Sequence, residues 1–267
     1  MILDNAPSGY MQDGTNRTHA SFIIIYNHSS SINGGSMKRS ILFLFLLTMF
    51  ITSVSIAQIK LGTDIYSHYV WRGAALHSAE SFQPALTYTA GSMSVGAWGS
   101  YSAAGAGYAE NDLWASYAFG PATVIVTDYY IPSLLAGTAT FFDYNTAKGS
   151  GSHVVEIGAS YTGGESLPIS VAAYYNVIGG LLDPDNSSYV QVSYPFTVET
   201  TTLTTSVGFT PTKSSAWYVT TGAGVVSVGL MASKIIKITD DFSIPFNIQY
   251  VMNPYSEKGY LFFGLSL

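Results

Sequence analysis

Charge is scarce in this chain: Asp, Glu, Lys and Arg make up 10 % of 267 residues, against roughly 25 % in an ordinary soluble domain. That shortage argues against a surface facing water all round. Cysteine is absent, which excludes disulfides, thiolate metal sites and cysteine nucleophiles. It also suits passage through an oxidising compartment, where stray thiols are a liability. Beyond residue 57 no apolar run approaches the ~18 residues that a spanning helix needs. Basic residues are few: from Gln58 onward there are 7 Lys and Arg against 14 Asp and Glu, a formal charge of −7. With no basic patch to displace phosphate counterions, nucleic acid is not an expected partner. No G-x-S-x-G nucleophile motif and no His-x-x-x-His ligand pair occurs, so neither an enzyme nor a cofactor is expected.

What is present is apolar and aromatic. Hydrophobic residues are 48 % and aromatics 14 %, with 20 Tyr and 26 Gly. A Tyr- and Gly-rich, weakly charged chain without long apolar runs fits membrane-crossing strands.

The one apolar block lies near the start. Met37-Lys38-Arg39 is followed by eleven mostly apolar residues, 41–51, and then by Ser55-Ile56-Ala57. A positive start, a short apolar core and a small-x-small end are the parts of a secretory signal peptide. The segment 37–57 is therefore read as a leader cleaved after Ala57, its eleven-residue apolar stretch being too short to span ~30 Å of hydrocarbon as a helix. Residues 1–36 are polar and read as an upstream extension from a misassigned start.

From Gln58 the period is two. In 242–253, Phe242, Ile244, Phe246, Ile248, Tyr250 and Met252 share one face, and Ser243, Asn247, Gln249 and Asn253 the other. Alternate strand residues point to opposite faces, one suited to lipid and one to a wet lumen. Twelve strands are predicted, at about 58–71, 82–90, 93–101, 109–119, 121–130, 152–162, 168–177, 187–194, 197–209, 224–237, 241–252 and 258–267. Short connections alternate with longer ones, as in outer-membrane barrels. The fold class expected is all-β: one transmembrane, antiparallel, up-and-down barrel over 58–267. Tyr69, Trp71, Tyr101, Tyr129, Tyr130, Tyr194, Phe196 and Tyr250 sit near strand ends and read as interfacial girdles. On inward phases fall Tyr66, Trp98, Trp114, Tyr174 and Tyr189. The final strand ends on Leu261, Phe263, Leu265 and Leu267 in alternation, which looks like the mark read by the outer-membrane assembly machinery.

Thr63-Asp64-Ile65-Tyr66, Tyr69-Val70-Trp71-Arg72-Gly73 and Gln83-Pro84-Ala85-Leu86 together resemble the start of the Gcw_chp (TorF-type) porin family of bacterial outer-membrane proteins. Residues 229–242 and the last strand are also similar to it. The spacing from Asp64 to Arg72 is longer here, and Trp71 replaces the usual Phe. The resemblance implies a single barrel with a porin-like role and carries over no substrate and no catalytic residues.

Phase places Asp64, Tyr66, His68, Arg72, Asp112, Asp128 and Glu156 inside as pore-lining candidates, with Leu61, Ile65, Tyr69 and Trp71 toward lipid. Charge at membrane depth must face a polar lumen or pair. Arg72 with these carboxylates makes either a charged constriction that filters solutes or an ion-paired brace. The longest loop, 131–151, either folds inward as a plug or stays outside. His77 and His153 read as solvated loop histidines, and Asp183-Pro184-Asp185-Asn186 as a polar turn. The expectation is a monomeric barrel in the bacterial outer membrane that passes small hydrophilic solutes. The alternatives are a non-conducting structural or adhesive barrel and an outer-membrane hydrolase.

Overall fold

The computed structural model describes residues 57–104, 108–135, 140–144 and 151–267. The expected leader (Ala57 apart) and upstream extension lie outside these residues. Among the described residues no helix is long and apolar enough to cross a membrane.

Twelve strands close into one antiparallel up-and-down barrel. They are β1 (Gln58–Tyr66), β4 (Ser81–Ala90), β5 (Met93–Ser102), β6 (Ala109–Phe119), β7 (Ala122–Tyr130), β8 (His153–Thr162), β9 (Ser170–Ile178), β10 (Ser188–Val198), β11 (Thr201–Thr210), β12 (Gly224–Lys237), β13 (Ser243–Asn253) and β14 (Lys258–Ser266). Two further strands, β2 (Tyr69–Trp71) and β3 (Ala74–His77), form a separate hairpin between β1 and β4. Closure comes from Asp64↔Ser266, Ile65↔Leu265 and Tyr66↔Gly264. A closed ring leaves no sheet edge to satisfy in hydrocarbon, and a twelve-strand barrel of this kind fits an outer-membrane protein.

Alternation builds the wall. Leu113, Val124, Val126, Ile157, Val171, Tyr175, Ile248, Tyr250, Leu261 and Phe263 point out and are exposed, whereas Trp98, Asp112, Trp114, Glu156, Tyr174, Tyr189 and Asn247 point in and are buried. The inward rings lie flat along the wall because the neighbouring strand offers glycine. A Cβ on Gly158 would stand 2.5 Å from the Tyr174 ring, and one on Gly264 2.3 Å from Tyr66. Such aromatic cover over a strand glycine recovers packing that the bare backbone lacks.

Two boundaries depart from the sequence reading. The first strand does not run to residue 71: it ends at Tyr66, and the chain leaves the wall at Ser67-His68. The turn expected at Pro195-Phe196 is inside β10, where Pro195 pairs with Thr204, and the reversal falls at Glu199-Thr200. Glu199 takes a φ of 55° there. The loop between β11 and β12, 211–223, is pinned by a bridge between Ser214 and Thr220.

Candidate functional site in the lumen

The hairpin β2–β3 folds into the barrel. Arg72 and Gly73 form its two-residue turn, both at positive φ (45° and 83°), the pattern that suits the twist of a tight hairpin. Gly73 is needed twice over, since a Cβ there would lie 1.8 Å from the Val226 carbonyl oxygen. The tip thus abuts β12, and the Asn253 side-chain amide of β13 donates to the Gly73 carbonyl at 3.2 Å. Tyr69 and Trp71 are 2 % and 6 % exposed. Their expected place toward lipid and in the girdle is therefore overturned: the strand that was to carry them outward turns inward at Ser67-His68.

Arg72 reaches the wall. Its guanidinium donates to both carboxylate oxygens of Glu156, at 2.6 and 3.0 Å, and to the Tyr218 hydroxyl at 2.8 Å. Tyr129 donates to the same carboxylate at 2.9 Å, so Tyr129 is also inside and not in a girdle. The guanidinium stands 4.1 Å over the Tyr174 ring, 4.7 Å over Tyr189 and 4.5 Å over Trp71. Trp71 in turn stacks on Tyr218 and meets Trp217 edge-on. A forked, desolvated ion pair roofed by ring faces is strong cation recognition.

Tyr218 is held from the loop below it. Asp183 is buried and accepts from the Asn176 amide (2.8 Å), the Ser187 backbone N–H (2.6 Å) and the Ser187 hydroxyl (2.6 Å). The Ser187 hydroxyl lies 2.6 Å from that of Ser214, which accepts the Tyr218 N–H at 2.8 Å. Asp185, at the surface, accepts from the Ser215 hydroxyl, the Ser215 N–H and Lys213. Those donors pull its carboxyl down to about 2. The acidic turn is thus the clasp of two loops, and Asp183 is far from the solvated residue that a polar turn suggests.

A second carboxylate group lies on β6. Glu110 accepts from Tyr69 at 3.0 Å and Tyr108 at 2.8 Å. Asp112 is its next residue on the inward face, and Asp112 Oδ1 has no hydrogen-bond partner among the described residues. Tyr69 packs against Trp98, Tyr108 and His77.

Of the pore-lining candidates, Tyr66, Arg72, Asp112 and Glu156 are buried inside and Asp64 half-buried at the ring closure. His68 is half-buried where the chain leaves the wall and touches Ser67. Asp128 is a correction. It shares the outward phase of Val124 and Val126, at the rim, where His153 Nδ1 lies 2.8 Å from it and Tyr144 donates to it. His153, expected to be solvated, is 1 % exposed, stacked between Tyr130 and Tyr144 and met by Phe141. Thr140–Tyr144, the described middle of the long loop, therefore contact the outward phase of the wall. The rest of that loop, 136–139 and 145–150, lies outside the described residues. Sequence reasoning missed Tyr69, Trp71, Tyr129, Trp217 and Tyr218 as lumen residues. The Arg-Gly pair at 72–73 is the signal that could have found the hairpin.

In comparisons with known proteins, no family model matches the chain and no similar curated protein was found.

Proposed function

We propose that the protein is an outer-membrane channel of the Gcw_chp (TorF-type) kind, exported by a leader cleaved after Ala57, that passes small hydrophilic solutes through a lumen throttled by the β2–β3 hairpin. The observation that carries this reading is an apolar outside and polar inside on one closed wall, with a separate hairpin standing in the bore. In this reading the short-turn end faces the periplasm, the long loops face outward, the barrel acts as a monomer with no catalytic residues, and the last strand engages the assembly machinery. Inward carboxylates outnumber Arg72, so cations pass in preference to anions.

The second reading, a non-conducting structural barrel, is favoured by the firm anchoring of the hairpin at Glu156, Val226 and Asn253. Planar-bilayer recording separates the two. The purified protein is compared with a variant in which Tyr69–His77 is replaced by a short Gly-Ser turn. Small steps in the native barrel, enlarged severalfold in the variant and cation-selective under a salt gradient, are expected. A folded, inserted variant that carries no current would reject the channel.

A further inference from the structure

The Arg72 site has an unusual division of labour. Everything that meets the guanidinium, apart from Trp71, belongs to the wall or its loops: Glu156 on β8, itself held by Tyr129 on β7, Tyr174 on β9, Tyr189 on β10 and Tyr218 in the loop after β11. The guanidinium itself arrives on the hairpin, which shares no sheet with the barrel. Arg72 holds a φ of 45° to get there, a region non-glycine residues seldom occupy. A wall built around a cation that a separate segment supplies is a receptor filled by an internal ligand.

We propose that this pocket is a solute-binding site for guanidinium compounds, and that Arg72 occupies it as a built-in competitor that incoming solute displaces together with the hairpin. The ligand class follows from shape. Glu156 takes two parallel N–H donors at 2.6 and 3.0 Å, a match for a planar fork that an ammonium cannot make. Ring faces at 4.1 and 4.7 Å suit a flat, weakly hydrated cation. A tethered competitor acts at an effective concentration in the millimolar range, so native affinity is low and the site responds only to abundant solute. The inference rests on the lumen being the solute path, but binding can be read without any current.

The test is calorimetric titration of the purified protein in detergent with ethylguanidinium and with ethylammonium. Arg72→Ala is expected to bind ethylguanidinium saturably, at least about tenfold tighter than the native barrel, because the tethered competitor is gone. It should prefer that ion to ethylammonium by about tenfold or more, and the preference should vanish in Arg72→Ala/Glu156→Gln. Should Arg72→Ala fail to fold, Arg72→Gln serves in its place. Equal binding of the two ions, no binding to a folded variant, or native affinity equal to that of the variant would each overturn the proposal. A barrel that binds as expected yet conducts nothing would reject only the channel reading.

Discussion

Two carboxylate groups inside the same lumen are treated differently. Glu156 meets a guanidinium and a phenol, every partner in hydrogen-bonding range. Glu110 meets two phenols and no cation, and one oxygen of Asp112, its neighbour on the inward face, has no partner among the described residues. The hairpin attends to both, with Arg72 on one side and Tyr69 on the other. Burial of a carboxylate is costly unless it is paired, so the first group ties the hairpin down and the second leaves an unspent demand for positive charge.

Neutralising one acid in each group gives the sharpest contrast. Glu156→Gln strands a buried arginine and should cost about 3 kcal/mol or more. Asp112→Asn removes charge beside Glu110 and should leave stability unchanged or raise it by up to about 1 kcal/mol. Urea unfolding of the lipid-embedded barrel followed by tryptophan emission measures both, and two losses of equal size would erase the distinction. Next in size is Gly73→Ala. The added methyl group meets Val226 and strains a positive φ, costing about 2 kcal/mol of hairpin docking and raising conductance if the tip blocks the bore; an unaltered trace and midpoint would place the tip elsewhere. Tyr69→Phe withdraws one of the two phenol donors to Glu110 and should cost about 1.5 kcal/mol, less than the loss at Glu156. The smallest effect concerns the clasp outside. The Asp185 carboxyl is held down to about 2, below an ordinary aspartate, so its contribution is complete above the unfolded value near about 4. It fades as pH falls from there through about 2. Protection of the Ser215 amide against hydrogen exchange should follow that curve, and protection indifferent to acid would detach Asp185 from the loop.

Much of the wall was legible because period two needs no context: Trp98, Trp114, Tyr174 and Tyr189 follow from counting along their strands. Asp128 shows the hazard of reading charge ahead of period. Val124 and Val126 already set its phase outward, and a rim position with His153 beside it makes that tolerable. Tyr69 and Trp71 failed for another reason. A hairpin alternates as a wall strand does, so 58–71 reads as one strand unless the Arg72-Gly73 turn is recognised. No glycine or proline marks the departure at Ser67-His68. Trp217 and Tyr218 lie in a loop whose inward course depends on Ser214, Ser187 and Asp183, residues far apart in sequence, and no local pattern encodes it.

Between β1 and β14 the ring closes over three ladder pairs, flanked by backbone bonds between Thr63 and Leu267 and from Ser67 to Phe263, where β13 and β14 share eight pairs and β1 and β4 share nine. Gln58–Gly62 overhang that join, with Ile59 and Leu61 among the most exposed apolar residues of the wall. Sheet cohesion scales with the length of the ladder, so the cylinder has a seam. The seam is where the wall unzips first under load, and its short overlap sets how little of the final strand must be threaded before the ring locks.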